Sequence, residues 1–428
     1  MTPIQTAIER TNQERGAALA RDYQHLGEQL SRRGIQIDEV AAHLEALCVA
    51  IPSWGVRSGG TRFGAFPVGG QPRTIEEKLD DIAVLQQLSR ACPQVSLHIP
   101  WDRPESPAAL RAYAGQLGLA FDAMNSNTFE DQPGQPLSYK FGSLCHTDRA
   151  VRQQAIEHNK EVIDLGRELG STAITIWLAD GSCFPGQTHL RRSFERTIAA
   201  LKEIHAHLPP DWLMFTEHKP YEPAFYATVI HDWGSSLLAA QAAGQRARCL
   251  VDLGHHLPNC NIEQVVARLI GAGRLGGFHF NDSKYGDDDL TTGSIKPYQL
   301  FLVFNELVDA EVAKLPGFAP AYMIDQSHNL KDPLEDLLQS VEAIQKACAK
   351  AWLVRRDRLD EAQEANDVVA AERLLHEAYD TDVRPLIAEV RRRQGGAIDT
   401  IAAYRAADYR RLVTEQRPQA SRTAGSFS

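Results

Sequence analysis

The segment GGFHFNDSKYGDDDL, residues 276–290, concentrates side chains that can bind metal ions or move protons. It holds one histidine and four aspartates within fifteen residues. Carboxylates this close together repel one another unless water, lysine side chains or a cation separates their charges. The segment is therefore either a solvated acidic loop or one wall of a metal site, and the rest of the chain has to decide between these two interpretations.

Side chains of metal-ligand type stand near the ends of four apolar segments in the second half of the chain. They are Glu217 in WLMFTE, Asp252 in RCLVDL, His279 in GGFHFND and Asp325 in AYMID. If these segments are neighbouring parallel strands of a barrel, their C-terminal ends line one mouth and the four side chains converge there. An acid at a strand end often only caps the next helix, but four ligand types in succession favour a site for Mn²⁺, Co²⁺ or Zn²⁺.

Three further residues predict a second cation site beside the first. His255 lies three residues after Asp252, in VDLGHH. Asp287 and Asp289 are two residues apart, so their side chains point the same way in an extended loop. Two adjacent cations clamp neighbouring oxygens of one substrate. The other polar residues of these motifs are expected to face solvent or to support the ligands: His256, Asp282 and Asp288.

Lysine and aromatic side chains near the same strand ends favour an organic substrate. Lys219 lies two residues after Glu217, where it either polarises or protonates a developing oxyanion or only balances crowded carboxylates. Aromatic rings beside polar groups at a barrel mouth suit a sugar, because its C–H faces stack on the rings and its hydroxyls find partners. The candidates for such contacts are His98, Trp101, Trp177 and Asp180. A tryptophan at a strand end is as often a core residue, so Trp177 alone is weak evidence.

A glycine-rich loop, residues 54–72, follows the first apolar segment. Its sequence, WGVRSGGTRFGAFPVGGQP, contains six glycines. This composition predicts a mobile lid that carries Phe63 and Phe66, with Trp54 at its base, and makes all three candidate substrate contacts. The alternative is a flexible surface loop without a role in catalysis.

Eight short apolar segments, each followed by a polar or Gly/Pro-rich turn and then an amphipathic stretch, must position these residues. They are residues 47–51, 95–99, 119–124, 173–178, 212–217, 248–253, 276–282 and 321–325. Segments that are apolar on both faces are typical of a buried parallel sheet. Eight alternations with helices over about 300 residues predict a (β/α)8 TIM barrel. A doubly wound sheet is the competing fold, but no Gly-rich phosphate-binding motif follows any of the segments.

Helical patterns flank the predicted barrel on both sides. Residues 1–44 form an N-terminal helical segment, residues 45–354 the barrel and catalytic domain, and residues 355–418 a C-terminal arm of three amphipathic helices. Such arms usually clamp a neighbouring subunit. Residues 419–428, QASRTAGSFS, have the composition of a disordered tail.

Composition narrows the class of protein. The 428-residue chain has a formal net charge of −10 and no basic stripe, which argues against nucleic acid or an anionic membrane surface as a partner. Its seven cysteines include no C-x-x-C pair, which indicates reduced thiols. The chain does not begin with a signal-peptide pattern, and no apolar stretch approaches the roughly 18 residues of a membrane span. We therefore expect a soluble cytoplasmic protein.

Seven motifs of the chain together resemble those of the bacterial L-rhamnose isomerases, in particular the branch that also accepts D-allose and other rare sugars. They are SWGVRSGGTRFG, SLHIPWD, FDAMNSNTF, EHKPYEPAFY, VDLGHH, GGFHFNDSKYGDDDL and MIDQSHN. The resemblance implies a homotetrameric barrel that uses two divalent ions, most often Mn²⁺, for aldose–ketose isomerisation. The small-molecule substrates it implies are L-rhamnose, which gives L-rhamnulose, and D-allose, which gives D-psicose.

The same resemblance implies a role for each candidate residue. The ligands of a structural, substrate-anchoring ion would be Glu217, Asp252, His279 and Asp325. The ligands of a catalytic ion would be His255, Asp287 and Asp289. The catalytic groups would be Lys219 near the O1 oxygen, His98 near the ring or chain hydroxyls, Asp325, and Ser327 acting with a bound water.

Two mechanisms and two other functions stay open at this point. The reaction runs either by a hydride shift between C1 and C2 or through an ene-diol, with a base that takes the C2 proton. Metal-dependent phosphodiesterases and nucleases also use such barrels, but the acidic composition and the aromatic, Gly-rich loop argue against them. A non-catalytic sugar-binding relative would be expected to have lost a second-site ligand, whereas His255, Asp287 and Asp289 are all present.

Overall fold

A computed structural model of the protein describes residues 2–57, 59, 64, 66, 68–326 and 330–417. In chain order the strands are β1 (Ala50–Pro52), β2 (Gln94–Ser96), β3 (His98–Ile99), β4 (Ala120–Phe121), β5 (Met124–Ser126), β6 (Ala173–Trp177), β7 (Gly181–Ser182), β8 (Leu213–Glu217), β9 (Ala227–Thr228), β10 (Ala247–Asp252), β11 (Leu275–Phe280) and β12 (Ala321–Ile324). Strands β7 and β9 form a separate antiparallel pair, and the other ten belong to one parallel sheet.

This parallel sheet closes on itself. Strands β2 and β3 are two halves of one barrel strand, interrupted at Leu97, and β4 and β5 are two halves of the next. Strand β2 pairs with β4 and β3 with β5, β5 continues through β6, β8, β10 and β11 to β12, and β12 pairs with β1, which returns to β2. The ring therefore has eight members, each supplied by one of the eight apolar segments, and the predicted TIM barrel is confirmed.

Alternation along the strands decides which side chains face the barrel interior. In β11, Phe278 and Phe280 stack on each other at 5.1 Å, and Phe280 packs on Phe304 of a surrounding helix at 5.5 Å. His279, between them, points the other way. In β8, Phe215 belongs to a small buried apolar cluster with side chains of other strands. Glu217, two residues further on, lies on the same face, so an apolar plug fills the barrel below polar side chains at its C-terminal mouth.

Eight helices alternate with the barrel strands and cover them. They are α3 (Ile75–Ser89), α4 (Pro107–Gln116), α5 (Arg149–Leu169), α6 (Leu190–His207), α7 (Trp233–Ala243), α8 (Ile262–Gly271), α9 (Pro297–Val312) and α10 (Pro333–Trp352). Several begin at a side-chain cap, such as Asp148, whose carboxylate accepts from the backbone N–H of Ala150 at 2.8 Å. Among the described residues, no helix has both the length and the apolar run needed to cross a membrane.

The flanking helical regions are more broken than their sequences predict. The N-terminal segment forms two helices, α1 (Pro3–Arg32) and α2 (Ile37–Glu45). The prediction of three helices in the C-terminal arm is wrong, because the described part of the arm contains five. They are α11 (Arg356–Glu364), α12 (Val368–Tyr379), α13 (Arg384–Arg393), α14 (Thr400–Ala406) and α15 (Tyr409–Gln416).

The additional breaks in the arm have a backbone cause. Asn366, with φ +56°, and Asp408, with φ +52°, adopt left-handed conformations that end one helix before the next begins. The predicted disordered tail, residues 419–428, lies outside the described residues, and the domain boundaries stay a prediction.

Candidate metal centre

Four side chains from four neighbouring strands converge at the C-terminal mouth of the barrel. We call them the ligand cluster: Glu217 at the end of β8, Asp252 at the end of β10, His279 in β11 and Asp325 directly after β12. One ligand atom from each lies within 4.8 Å of the others. The imidazole Nδ1 of His279 is 3.1 Å from Glu217 Oε1, 3.7 Å from Asp252 Oδ2 and 3.5 Å from Asp325 Oδ2.

Strand register explains why the cluster forms. Asp252 pairs in register with His279 across β10 and β11, and Leu250 pairs with Glu217 across β10 and β8. Neighbouring strands are therefore offset along the barrel axis. This offset places their inward side chains at the same level, above the apolar plug. The sequence alone predicts the side chains, and the closed sheet brings them together.

A second group overlaps the first. Ligand atoms of Asp252, His255 and Asp287 also lie within 4.8 Å of one another. The two ring nitrogens of His255 face different carboxylates, since Nε2 is 3.5 Å from Asp287 Oδ1 and Nδ1 is 3.3 Å from Glu217 Oε1. Because Asp252 belongs to both groups, the two candidate sites lie side by side.

Asp289 lies close to the same carboxylates but does not belong to either compact group. It is buried, with 9% of its surface exposed, and its backbone has φ +48°. Burial and the nearby carboxylates of Asp287 and Asp325 raise the pKa of Asp289 well above its usual range. The compact second group contains Asp252 where the sequence predicts Asp289, so the role of Asp289 as a ligand stays a prediction.

Burial and neighbouring charges shift the pKa values of the side chains in both groups. Burial raises the pKa of Asp252 to about 7. Burial alone would lower the pKa of His255, but the carboxylates of Asp252 and Asp287 raise it to about 9. Burial would likewise raise the pKa of Asp287, yet His255 and Lys219 hold it well below its usual range. Each charge is thus strongly dependent on its neighbours.

One carboxylate shows that the donor set fits a divalent cation. Asp252 Oδ1 accepts hydrogen bonds from the backbone N–H of Gly254 at 2.7 Å and from Asn281 Nδ2 at 2.9 Å. Its other oxygen, Oδ2, is buried and finds no hydrogen-bond partner among the described residues. Supporting hydrogen bonds on one oxygen and a bare second oxygen directed at an imidazole are typical of a metal-binding carboxylate. Oxygen and nitrogen donors of this kind suit Mn²⁺, Co²⁺ or Zn²⁺.

The acidic loop after β11 divides its aspartates between two environments. Asp288 Oδ2 accepts from the backbone N–H groups of Lys284 at 2.7 Å and of Tyr285 at 2.8 Å. Asp282 Oδ2 accepts from the N–H groups that lead into α9, and its own backbone pairs with that of Leu290. These two carboxylates therefore hold the loop in shape, as expected for residues outside the ligand sets, whereas Asp287 faces the mouth.

The ammonium group of Lys219 lies among the carboxylates at the mouth, and its catalytic role stays a prediction. It is 4% exposed, its ammonium group contacts Asp287 Oδ2, and it lies 3.4 Å from Glu222 Oε2. The same ammonium group lies 4.9 Å from the centre of the Trp177 ring. Lys219 is thus a charge partner of the carboxylates that also reaches the edge of the mouth.

Aromatic rings line the opposite side of the mouth. We call this set the aromatic wall: Trp54, His98, Trp101, Phe129 and Trp177. His98 stacks on Trp101 at 3.9 Å and meets the edge of Trp54 at 5.6 Å. Trp54 Nε1 donates to Asp325 Oδ1 at 2.9 Å, which joins the wall to the ligand cluster. Burial lowers the pKa of His98 to about 4, so its ring is neutral near pH 7.

Phe129 is the member of the wall that sequence reasoning missed. Its ring lies 4.5 Å from that of Trp177 and 5.8 Å from that of His98, so it connects the two ends of the wall. It follows the third barrel strand in the polar stretch NSNTF. An isolated aromatic residue in a polar loop after a strand was the available signal.

No described hydrogen bond or ring contact joins the remaining predicted contacts to the wall, although Asp180 lines one small cavity together with Phe129 and Trp177. Asp180 accepts from Ser143 N at 2.7 Å and Oγ at 2.9 Å with one oxygen, and from Cys145 N at 2.8 Å with the other. Phe66 is 62% exposed. Phe63 and Ser327 lie outside the described residues. Substrate contact by Asp180, Phe63 and Phe66 and catalysis by Ser327 stay predictions.

Comparisons with known proteins agree with this architecture. Residues 90–299 match the model of a family described as the xylose isomerase-like TIM barrel. A probable sugar isomerase of Mesorhizobium japonicum is 56% identical over 420 residues, which cover 98% of this chain and 97% of the relative. A probable sugar isomerase of Rhizobium meliloti is 56% identical over 422 residues, 99% of this chain and 98% of the relative. The chain belongs to the xylose isomerase-like TIM barrel family.

A solved structure supports the fold of this family member. An L-ribulose 3-epimerase superimposes with a TM-score of 0.53 at 16% identity and covers 72% of this chain and 98% of its own. The family match includes Glu217, Asp252, His255 and His279 and ends before Asp325. The place of Asp325 in the cluster therefore rests on the geometry of this chain alone.

Proposed function

We propose that the protein is a metal-dependent aldose–ketose isomerase that interconverts L-rhamnose and L-rhamnulose and also accepts D-allose. The observation that carries this proposal is the pair of ligand groups that share Asp252, with Lys219 and the aromatic wall in contact with them. Charge-stabilising groups on one side and stacking surfaces on the other suit a polyhydroxy substrate. The names of the two close relatives, both probable sugar isomerases, agree with this reaction class.

Each set of residues has a defined part in this reaction. The ligand cluster would hold one ion, and His255, Asp287 and Asp289 would hold a second, with Asp252 between them. Bound divalent ions would supply positive charge for the oxygens on C1 and C2. Lys219 would donate a hydrogen bond to the oxygen on C1, and the neutral His98 would exchange hydrogen bonds with a hydroxyl further along the chain.

The proton chemistry at C1 and C2 leaves two routes open. In one, hydrogen moves directly between C1 and C2. In the other, a base takes the proton from C2 and returns it to C1. Isomerisation in deuterated water separates them, because only the second route exchanges the transferred hydrogen with solvent. Ser327 and Asp325 are the proposed participants in proton transfer at the substrate oxygens.

The finer features of the proposal follow the resemblance to L-rhamnose isomerases. They are Mn²⁺ as the preferred ion with Co²⁺ and Zn²⁺ as substitutes, two ions per subunit, a homotetramer and a cytoplasmic location. Phe63 and the exposed Phe66 belong to the glycine-rich loop, which would determine which sugars the enzyme accepts.

The deciding experiment measures ketose formation after metal removal. The protein is treated with a chelator, and turnover of L-rhamnose and D-allose is measured with and without added Mn²⁺, with bound metal quantified in parallel. Turnover that returns with Mn²⁺ supports the isomerase and ranks the two sugars. Bound metal with no aldose turnover contradicts it. Hydrolysis of an activated phosphodiester, measured in the same samples, would then favour a phosphodiesterase, and its absence would favour a sugar-binding protein without catalysis.

A further inference from the structure

The last helix of the C-terminal arm contacts the end of the glycine-rich loop. Arg410 of α15 donates from Nη1 to the carbonyl oxygens of Gly69 and Gly70, each at 3.3 Å. Arg417, just after α15, donates to the Gly70 oxygen at 3.1 Å. A Cβ atom at Gly69 would lie 2.5 Å from Thr414 Cγ2, so helix and loop are as close as glycine allows.

Arg410 also binds a second segment at the mouth. Its Nε donates to Asp332 Oδ2 at 2.7 Å and its Nη2 to Asp332 Oδ1 at 3.3 Å, and Tyr404 Oη donates to the same carboxylate at 3.0 Å. Asp332 begins α10 by accepting from Leu334 N at 2.9 Å. It lies seven residues after Asp325. One guanidinium group therefore joins the segments that follow the first and the last barrel strands.

Arg417 anchors this arrangement to the barrel body. It forms an ion pair of 2.9 Å with Asp81 of α3, and Tyr409 Oη donates to the same carboxylate at 2.7 Å. The side chains of Arg417 and Asp81 are 6% and 0% exposed. A buried pair with this many hydrogen bonds fixes its partners in one geometry, because a displaced partner would leave a charge buried without compensation.

We propose that Arg410 and Arg417 are positioning residues for substrate binding at the barrel mouth. They fix Gly69 and Gly70 at the end of the glycine-rich loop, and Arg410 at the same time fixes Asp332 at the start of α10. The C-terminal arm thus acts on the active site of its own chain, whatever contacts it makes with other subunits. This inference rests on the proposed isomerase for its kinetic readout.

The test compares Arg410→Gln and Arg410→Lys with a control on the same helix, Arg411→Ala. Arg411 is exposed, and within the described residues its ion pairs are with its neighbours Asp408 and Glu415. Arg410→Gln should raise KM for the aldose about tenfold with a smaller change in kcat, because the loop is displaced while the metal ligands are not. Arg410→Lys should retain the charge pair with Asp332 but lose the Nη1 donor that reaches the carbonyl oxygens of Gly69 and Gly70. We therefore expect an intermediate KM.

A structural readout accompanies the kinetics. Hydrogen–deuterium exchange of the peptide around residues 68–72 should accelerate in Arg410→Gln, Mn²⁺ content should stay unchanged, and Arg411→Ala should match the unmodified protein in every measurement. Unchanged KM and exchange in a folded Arg410→Gln protein would overturn the proposal, as would equal effects in Arg411→Ala. If the unmodified protein isomerises no aldose, the proposed function fails, and exchange alone decides the positioning role.

A second variant approaches the same contact from the loop. Gly69→Ala places a methyl group against Thr414 without altering either arginine. It should raise KM and accelerate exchange in the same direction as Arg410→Gln. A folded Gly69→Ala protein with unaltered KM and exchange would contradict the inference even if Arg410→Gln did not fold.

Discussion

The two sides of the barrel mouth differ in the structural elements that carry their residues and in how exposed these residues are. The ligand cluster stands on strand ends, and Glu217, Asp252 and His279 are between 0% and 4% exposed. In the aromatic wall, Trp54, Trp101 and Phe129 lie on loops that follow the early strands, and Trp101 is 41% exposed, whereas His98 and Trp177 are residues of β3 and β6. Strands held in a closed sheet cannot shift independently, whereas loops can vary in length and path. The proposed chemistry is thus fixed by the fold, and the proposed choice of sugar is left to the loops.

The largest effect should come from Asp252→Asn, which alters the carboxylate that both ligand groups share. We expect loss of bound metal and a fall in kcat of more than about 100-fold, because a neutral amide replaces a ligand in both groups. Metal content and ketose formation are the measurements. Asp288→Asn is the matched control, since the hydrogen bonds that its carboxylate accepts from described residues come from backbone N–H groups of its own loop. Unchanged metal content in Asp252→Asn would refute the shared-ligand geometry.

Metal binding to the ligand cluster should also raise the free energy of unfolding of the protein. With Mn²⁺ at 100 times its Kd, the free energy of unfolding should rise by about 2.7 kcal/mol per site, because the ion binds the folded chain and not the unfolded one. Thermal or chemical unfolding with and without Mn²⁺ measures it. The Asp252→Asn protein should show little of this gain. An equal gain in both proteins would mean that the ion binds elsewhere.

On the wall side, Trp101→Ala should raise KM about tenfold and leave metal content unchanged, because it removes only a stacking surface beside His98. Trp101→Phe should restore most of the affinity by keeping a ring in place. Steady-state kinetics with L-rhamnose and D-allose measure both variants. If Trp101→Ala instead lost its metal, the two sides of the mouth would not be independent.

The smallest effect on activity is expected for Asp180→Ala. Asp180 accepts three hydrogen bonds from Ser143 and Cys145, so its loss should lower the free energy of unfolding by about 3 kcal/mol, or about 1 kcal/mol for each bond. KM should change less than about twofold. Chemical unfolding and steady-state kinetics decide the matter together. A large rise in KM with unaltered stability would make Asp180 a sugar contact, as the sequence predicts.

The residues that could be predicted from sequence are those whose position follows from the strand alone. Glu217, Asp252 and Asp325 end apolar segments, and once the segments form a barrel their convergence requires no further information. That Asp252 also joins the second group could not be predicted, because sharing depends on distances between a strand end and a loop from elsewhere in the chain. Phe129 was missed because its place in the wall likewise depends on contacts with rings from other parts of the chain.

The C-terminal arm shows a different limit. Its helices have clear apolar periodicity, yet the breaks at Asn366 and Asp408 occur where neither glycine nor proline marks them. Left-handed conformations at such residues depend on the surrounding packing, which a single sequence does not display. The contact of Arg410 with Gly69 and Gly70 spans more than 300 residues of chain, and no local pattern predicts it.

The backbone pairing of Asp282 with Leu290 has a practical consequence for engineering. Two hydrogen bonds, of 2.9 and 3.0 Å, close the acidic loop at its base. The seven residues between them therefore form a cassette whose ends keep a fixed spacing. We therefore expect exchange of these residues between family members to leave the register of β11 and the start of α9 unchanged. Asp287 and Asp289, two of the proposed ligands of a second ion, both lie within this cassette.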